Sequence, residues 1–263
     1  MTGVPLLLWI VVFAAFGGIA SAAFAVVFLW VPEARSARIL PHFVSFATGA
    51  LLGAALLALL PEAMEGAGPA GAHAIGLALV IGLGFFFVIE KLVLWWHTHD
   101  NVAERGAPHH DHRDHASGVL VLVGDSIHNA LDGVLIASAF LTSLSLGVVT
   151  TLAVAAHEIP HRVGDFAILV QAGLSRPRAL FLNLATGLAS VIGAIGAYYG
   201  LRGAMGALPY ALAFAAAGFL YIAVAGLIPG LHRRADPRTS AIQVLLISAG
   251  IAVIAAAEQL THQ

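Results

Sequence analysis

Residues 146–169 read LGVVTTLAVAAHEIPHRVGDFAIL. The run is apolar or hydroxylic as far as Ala156, and with its flanks it is long enough to cross a ~30 Å hydrocarbon layer, which takes about 20 helical residues. Set into it are His157, Glu158, His161, Arg162 and Asp165. Ionisable groups at membrane depth are costly unless paired or hydrated, so by default they mark the path of an ion or a substrate. The stretch reads as a membrane-spanning helix with a polar stripe.

The rest of the chain agrees. Of 263 residues, 60% are hydrophobic and 10% charged, whereas a soluble domain has roughly 45–50% apolar and about 25% charged residues. Apolar runs bounded by Pro, Gly or charge fall at roughly 4–30, 43–60, 72–96, 118–142, 146–171, 177–200, 207–230 and 240–258. The expected fold is an all-α, polytopic membrane protein: a bundle of about eight transmembrane helices forming one domain over 1–263, with one long polar insert at 97–117. Ala20-Ser21-Ala22 resembles a signal-peptide cleavage site, but no basic residue precedes the first run and its apolar character continues to Trp30, so an uncleaved span is expected. A net charge of −2 gives no basic surface for phosphates, so nucleic acid is not an expected partner. The absence of cysteine removes disulfides and thiolate metal sites.

Basic residues orient the bundle. Arg35 and Arg38 follow the first run, Lys91, Arg105 and Arg113 flank the insert, Arg176 and Arg178 follow the fifth run, and Arg233, Arg234 and Arg238 follow the seventh; only Arg202 lies on the other side. The positive-inside rule then places the odd-numbered loops in the cytoplasm and both termini outside, in an integral membrane protein expected in the plasma (inner) membrane. Gly49 with Gly53, Gly196 with Gly200, and Gly226 with Gly230 form G-x-x-x-G pairs that allow close helix approach.

The fourth run carries a polar stripe of its own: Asp125, His128, Asn129 and Asp132. Helical neighbours three and four apart share a face, which stacks His128 with Asp132 and His157 with His161. Asn129 lies beside the first pair and Glu158 beside the second. Two such helices face to face supply three imidazoles and a carboxylate to one point, a set suited to a first-row divalent metal, most simply zinc. Pro160 removes the N–H that would bond the Ala156 carbonyl, next to His157, and is expected to kink the helix there. The insert adds His97, His99, His109, His110, His112 and His115, a tract that reads as weak, exchangeable metal binding.

His157 to His161 matches H-E-x-x-H, the zinc metalloprotease signature, and Leu131-Asp132-Gly133 resembles the L-D-G element of intramembrane site-two proteases. Those proteases carry the two elements in the opposite order, and Pro160 interrupts the helix on which H-E-x-x-H normally lies. The alternatives to weigh are thus an intramembrane protease and a metal sensor that does not translocate.

A wider resemblance is to the ZIP (Zrt/Irt-like) family of divalent metal transporters, over nearly the whole chain. His128-Asn129-Ala130-Leu131-Asp132-Gly133 resembles the family's H-N-x-x-D-G, and His157-Glu158-Ile159-Pro160-His161-Arg162-Val163-Gly164-Asp165 resembles the H-E-x-P-H-E-x-G-D of its LIV-1 branch. Leu59-Leu60-Pro61-Glu62-Ala63 and Gly218-Phe219-Leu220-Tyr221 are similar to weaker family features. The resemblance implies no enzyme but a transporter that brings zinc, and in some members Cd2+, Fe2+ or Mn2+, toward the cytoplasm. It implies a homodimer and an elevator-like displacement of one helix group against another. It also implies a primary site of His128, Asp132, His157 and His161, with Asn129 and Glu158 in an adjoining second site. The sequence departs from the branch at Arg162, where the pattern has glutamate; at Ala58, where it has histidine; and at Gly226 and Gly230, where it has carboxylates. Arg162 stands four residues after Glu158, so an ion pair between them is expected, placing a fixed cation where a second metal would sit. No G-x-x-x-x-G-K-[ST] loop is present to bind ATP.

Overall fold

The computed structural model describes residues 3–21, 33–103, 110–171, 174–232 and 236–261. Among these it contains eight helical rods and no strand. Helix α1 is Gly3–Ala15 continued by a π-helical turn, Phe16–Ala20; α2 is Glu33–Gly53, a π-helical turn Ala54–Leu59, then Leu60–Ala67. Helices α3, Ala72–Ala103, and α4, His110–Thr142, are followed by α5, Leu144–Gln171. Helix α6 joins Arg176–Thr186 to Leu188–Arg202 through Gly187; α7 is Leu208–Tyr221, a π-helical turn Ile222–Leu227 and Ile228–His232; α8 is Pro237–Thr261. The protein is an all-α polytopic membrane protein.

Among the described residues, five stretches are long and apolar enough to cross a membrane: Arg38–Ala67, Pro69–Leu92, Arg176–Arg202, Met205–His232 and Pro237–Gln259, with a shorter apolar stretch at Leu6–Ile19. Helices α4 and α5, which carry the polar stripes, are not among them. The insert at 97–117 differs from the expected loop: α3 runs through Ala103 and α4 starts at His110, so helix enters it from both ends. His109 lies outside the described residues, as do the side chains of His97, His99, His110, His112 and His115.

Close packing comes from small side chains. Alanines 50, 54, 55, 58, 63, 137, 139, 153, 213, 215 and 216 fill much of the interior between α2, α4, α5 and α7. Glycine is required where backbones meet at helix crossings. A Cβ on Gly193 would fall on the carbonyl oxygen of Ala130, and one on Gly133 on that of Ser190, which seats α6 against α4; Gly49 meets Ile247 of α8 in the same way. Of the pairs noted in the sequence, Gly49 and Gly53 lie in such a crossing, whereas Gly196, Gly200, Gly226 and Gly230 face no atom within 4 Å. Among the described residues, those four do not seat one helix on another.

The hairpin of α4 and α5 places the polar stripes. It turns at Ser143, whose hydroxyl accepts a hydrogen bond from the Leu146 N–H at 3.1 Å. Beside the turn the Phe140 ring packs on Gly147, where a Cβ would clash with it. Residues equally far from the turn then face each other: His128 meets His157, and Asp125 meets Arg162. At 1.5 Å per residue both stripes lie roughly 22 Å from the turn. Helix α5 runs through Pro160 without interruption.

Candidate metal site

His128 and Asp132 from α4 converge with His157 and Glu158 from α5. The Nε2 atoms of the two histidines are 3.2 Å apart. His157 Nε2 is 3.4 Å from Asp132 Oδ2 and 3.9 Å from Glu158 Oε1; His128 Nε2 is 3.7 Å and 3.6 Å from the same two oxygens. Asp132 Oδ2 and Glu158 Oε1 are both buried and accept no hydrogen bond. A buried acceptor without a partner carries the full cost of its desolvation, so two of them aimed at one point with two imidazole nitrogens define a place for a cation. The four ligand atoms lie within 4.8 Å of one another.

The shell around them fixes their orientation. His157 Nδ1 lies 3.2 Å from the Ala153 carbonyl, which leaves Nε2 for the cluster. Phe219 of α7, fully buried, packs edge-on against the His157 ring with centroids 6.3 Å apart. Such outer partners set the tautomer and direction of a ligating imidazole.

His161 stands apart from these four. Its side chain is 42% exposed and its Nδ1 is 2.8 Å from Asp165 Oδ2, while its ring stacks on His128 at 5.2 Å between centroids. With Asp125 and Glu158 it forms a neighbouring trio whose ligand atoms also lie within 4.8 Å. Asn129 faces away from the four ligand atoms: its Nδ2 donates to the Asp125 carbonyl and to Asp125 Oδ1, both at 2.8 Å. The geometry therefore moves Glu158 in beside His128, Asp132 and His157, and moves His161 out toward the exposed side.

Arg162 is fully buried. Its Nε donates to Glu158 Oε2 at 2.8 Å and its Nη1 to Asp125 Oδ2 at 2.8 Å. The same Nη1 reaches the carbonyl and Oδ1 of Asn183 and the Thr186 hydroxyl on α6, and Nη2 donates to Asn129 Oδ1. The pairing with Glu158 is the one the four-residue spacing predicts, and the burial rules out a side chain snorkelling to the boundary. Asn183 and Thr186 were not expected from the sequence; their signal is two polar residues three apart in an otherwise apolar run. Asp125 stood in the fourth stripe without an assigned role.

Residues 4–120 and 103–258 match the family described as ZIP zinc transporter. The chain belongs to the ZIP family. It is 37% identical over 227 residues to zinc transporter ZIP13 of Pongo abelii, an alignment covering 82% of this chain and 66% of that one. To zinc transporter ZIP13 of Homo sapiens it is 34% identical over 264 residues, with 82% and 70% covered. Zinc transporter SLC39A7 of Rattus norvegicus is 30% identical over 323 residues, with 90% and 69% covered. The chain thus spans about two thirds of the length of these ZIP relatives.

Proposed function

We propose that this ZIP protein carries a divalent metal ion, zinc first, across the membrane toward the cytoplasm through the cluster between α4 and α5, without ATP. The observation that carries the reading is the convergence of two unpartnered buried carboxylate oxygens, from Asp132 and Glu158, with the Nε2 atoms of His128 and His157. Two imidazoles and two carboxylates suit zinc and also admit Cd2+, Fe2+ and Mn2+. The relatives bear the name zinc transporter, which supports the same cargo. His161, with Asp165, stands one helical turn nearer the end of α5 that the arginine distribution assigns to the cytoplasm, as a station next to the cluster. The histidines of 97–117 serve the same face as exchangeable ligands. We read the chain as one transmembrane domain with both termini outside the plasma (inner) membrane, working as a homodimer as the family resemblance implies.

The protease reading fits less well. H-E-x-x-H hydrolysis needs both histidines on the metal and the glutamate free to activate water. Here His161 lies outside the group of four ligand atoms that contains His157, and one oxygen of Glu158 is held by Arg162.

Uptake of radioactive zinc into proteoliposomes containing the purified chain tests the proposal. Zinc accumulates without nucleotide, and Asp132→Ala or His157→Ala lowers the initial rate at least about tenfold while the protein stays monodisperse, because each removes a ligand from a dehydrated site. Unchanged flux in both variants, or no flux in the parent, refutes it. A parent that binds zinc without moving it favours the sensor.

A further inference from the structure

Resting on the cluster assigned above, we propose that the Arg162 guanidinium is a tethered cation filling an all-oxygen nest beside that cluster, so that the membrane interior holds one divalent ion per chain. A second ion is admitted only when the arginine is removed. The nest comes from three helices: Asp125 Oδ2 and Asn129 Oδ1 from α4, Glu158 Oε2 from α5, and the Asn183 carbonyl, Asn183 Oδ1 and Thr186 Oγ1 from α6. Carboxylate, amide, peptide and hydroxyl oxygens are the ligands that hard divalent cations take.

The surrounding donors are all turned elsewhere, which leaves acceptors pointing inward. Asn129 Nδ2 donates to Asp125, Asn183 Nδ2 donates to the Arg162 carbonyl at 2.9 Å, and the Thr186 hydroxyl donates to the Asn183 carbonyl at 2.8 Å. Such an arrangement favours a positive charge at its centre whether that charge is a guanidinium or an ion. Being covalently part of α5, the guanidinium cannot exchange.

Charge balance points the same way. Asp125, Asp132 and Glu158 supply three negative charges, which match one guanidinium and one divalent ion; Asp165 is committed to His161 on the exposed side. A second ion would leave two positive charges uncompensated in a medium that tolerates few. Glu158 is the shared boundary, with Oε2 on Arg162 and Oε1 on the cluster.

Metal counting tests this on the full chain with His97, His99, His109, His110, His112 and His115 replaced by serine. After saturation with Zn2+ and Mn2+ together and removal of free metal, elemental analysis gives ions per chain. We expect about one ion, with Mn2+ replacing Zn2+ rather than adding to it. Arg162→Ala, which empties the nest, raises the total to about two by adding Mn2+ to Zn2+, and Arg162→Lys keeps it at one. Two ions in the parent overturn the proposal without any substitution at Arg162, so it does not depend on the variant folding. One ion or none in monodisperse Arg162→Ala, against one in the parent, also overturns it. No ion in the parent overturns instead the four-residue cluster, and with it this inference.

Discussion

Helices α5 and α8 are both long, but they meet their surroundings in opposite ways. In α8 only 11% of an 18-residue apolar window within Pro237–Gln259 is buried in the protein, and Val244 and Leu245 are 64% and 68% exposed. In α5 the fully or nearly buried side chains include His157, Glu158, Arg162 and Asp165. Polarity is thus collected inside and apolar surface presented outside, the reverse of a soluble bundle. A lipid solvent drives no apolar surface inward, so packing and satisfied polar groups must hold the helices together.

The strongest test of that contrast is to break the buried pair. Asp125→Ala strands part of the Arg162 charge and should cost about 3–5 kcal/mol, since breaking a buried pair leaves an uncompensated ion. On the lipid side, Leu245→Ala should change stability by less than about 0.5 kcal/mol. Thermal unfolding of both variants in one detergent measures the difference; equal midpoints would mean that the polar network does not hold α4, α5 and α6 together. Next in size is the glycine comparison. Gly193→Ala drives a methyl into the Ala130 carbonyl and should cost about 1–3 kcal/mol, as overpacking does. Gly200→Ala meets open space and should stabilise by about 0.5–1 kcal/mol, because alanine loses less entropy than glycine in a helix. The smallest effect belongs to Asp236, exposed at the start of α8. Hydrogen bonds from Thr239, its side chain first and then its backbone N–H, hold the Asp236 carboxyl below its usual range. Its contribution is therefore complete above the ordinary aspartate pKa and is lost as pH falls through the lowered one. Protection of the Thr239 and Ser240 amides relative to the intrinsic exchange rate at each pH should fall on acidification in the parent and be low at every pH in Asp236→Ala.

The sequence made the helical rods and the facing stripes legible, because apolar length and i,i+4 spacing are local quantities. His128 and His157 are nearly equidistant from Ser143, so a hairpin brings them level whatever the rest of the bundle does. That the ligand atoms of Glu158, and not those of His161, lie within reach of the other three is not legible. Both residues sit on α5, and the choice depends on Asp165 capturing the His161 ring and on Arg162 taking only one oxygen of Glu158. Asn183 and Thr186 were hidden for a related reason: they act through a residue on another helix. The π-helical turns Phe16–Ala20, Ala54–Leu59 and Ile222–Leu227 consist almost entirely of apolar and small residues, which carry no mark of a widened turn. The helical run into the insert from both ends is not legible, because its polar composition reads as loop.

On the proposed assignment, Glu158 would lend one oxygen to a permanent resident and the other to a visitor. The electron density that a guanidinium draws from a carboxylate is not available to an ion on its far side, so at that site Glu158 would grip more weakly than a free carboxylate. For a carrier that is an advantage, since turnover is limited by release as much as by capture. Arg162 would thereby shorten the residence time of each ion it never touches.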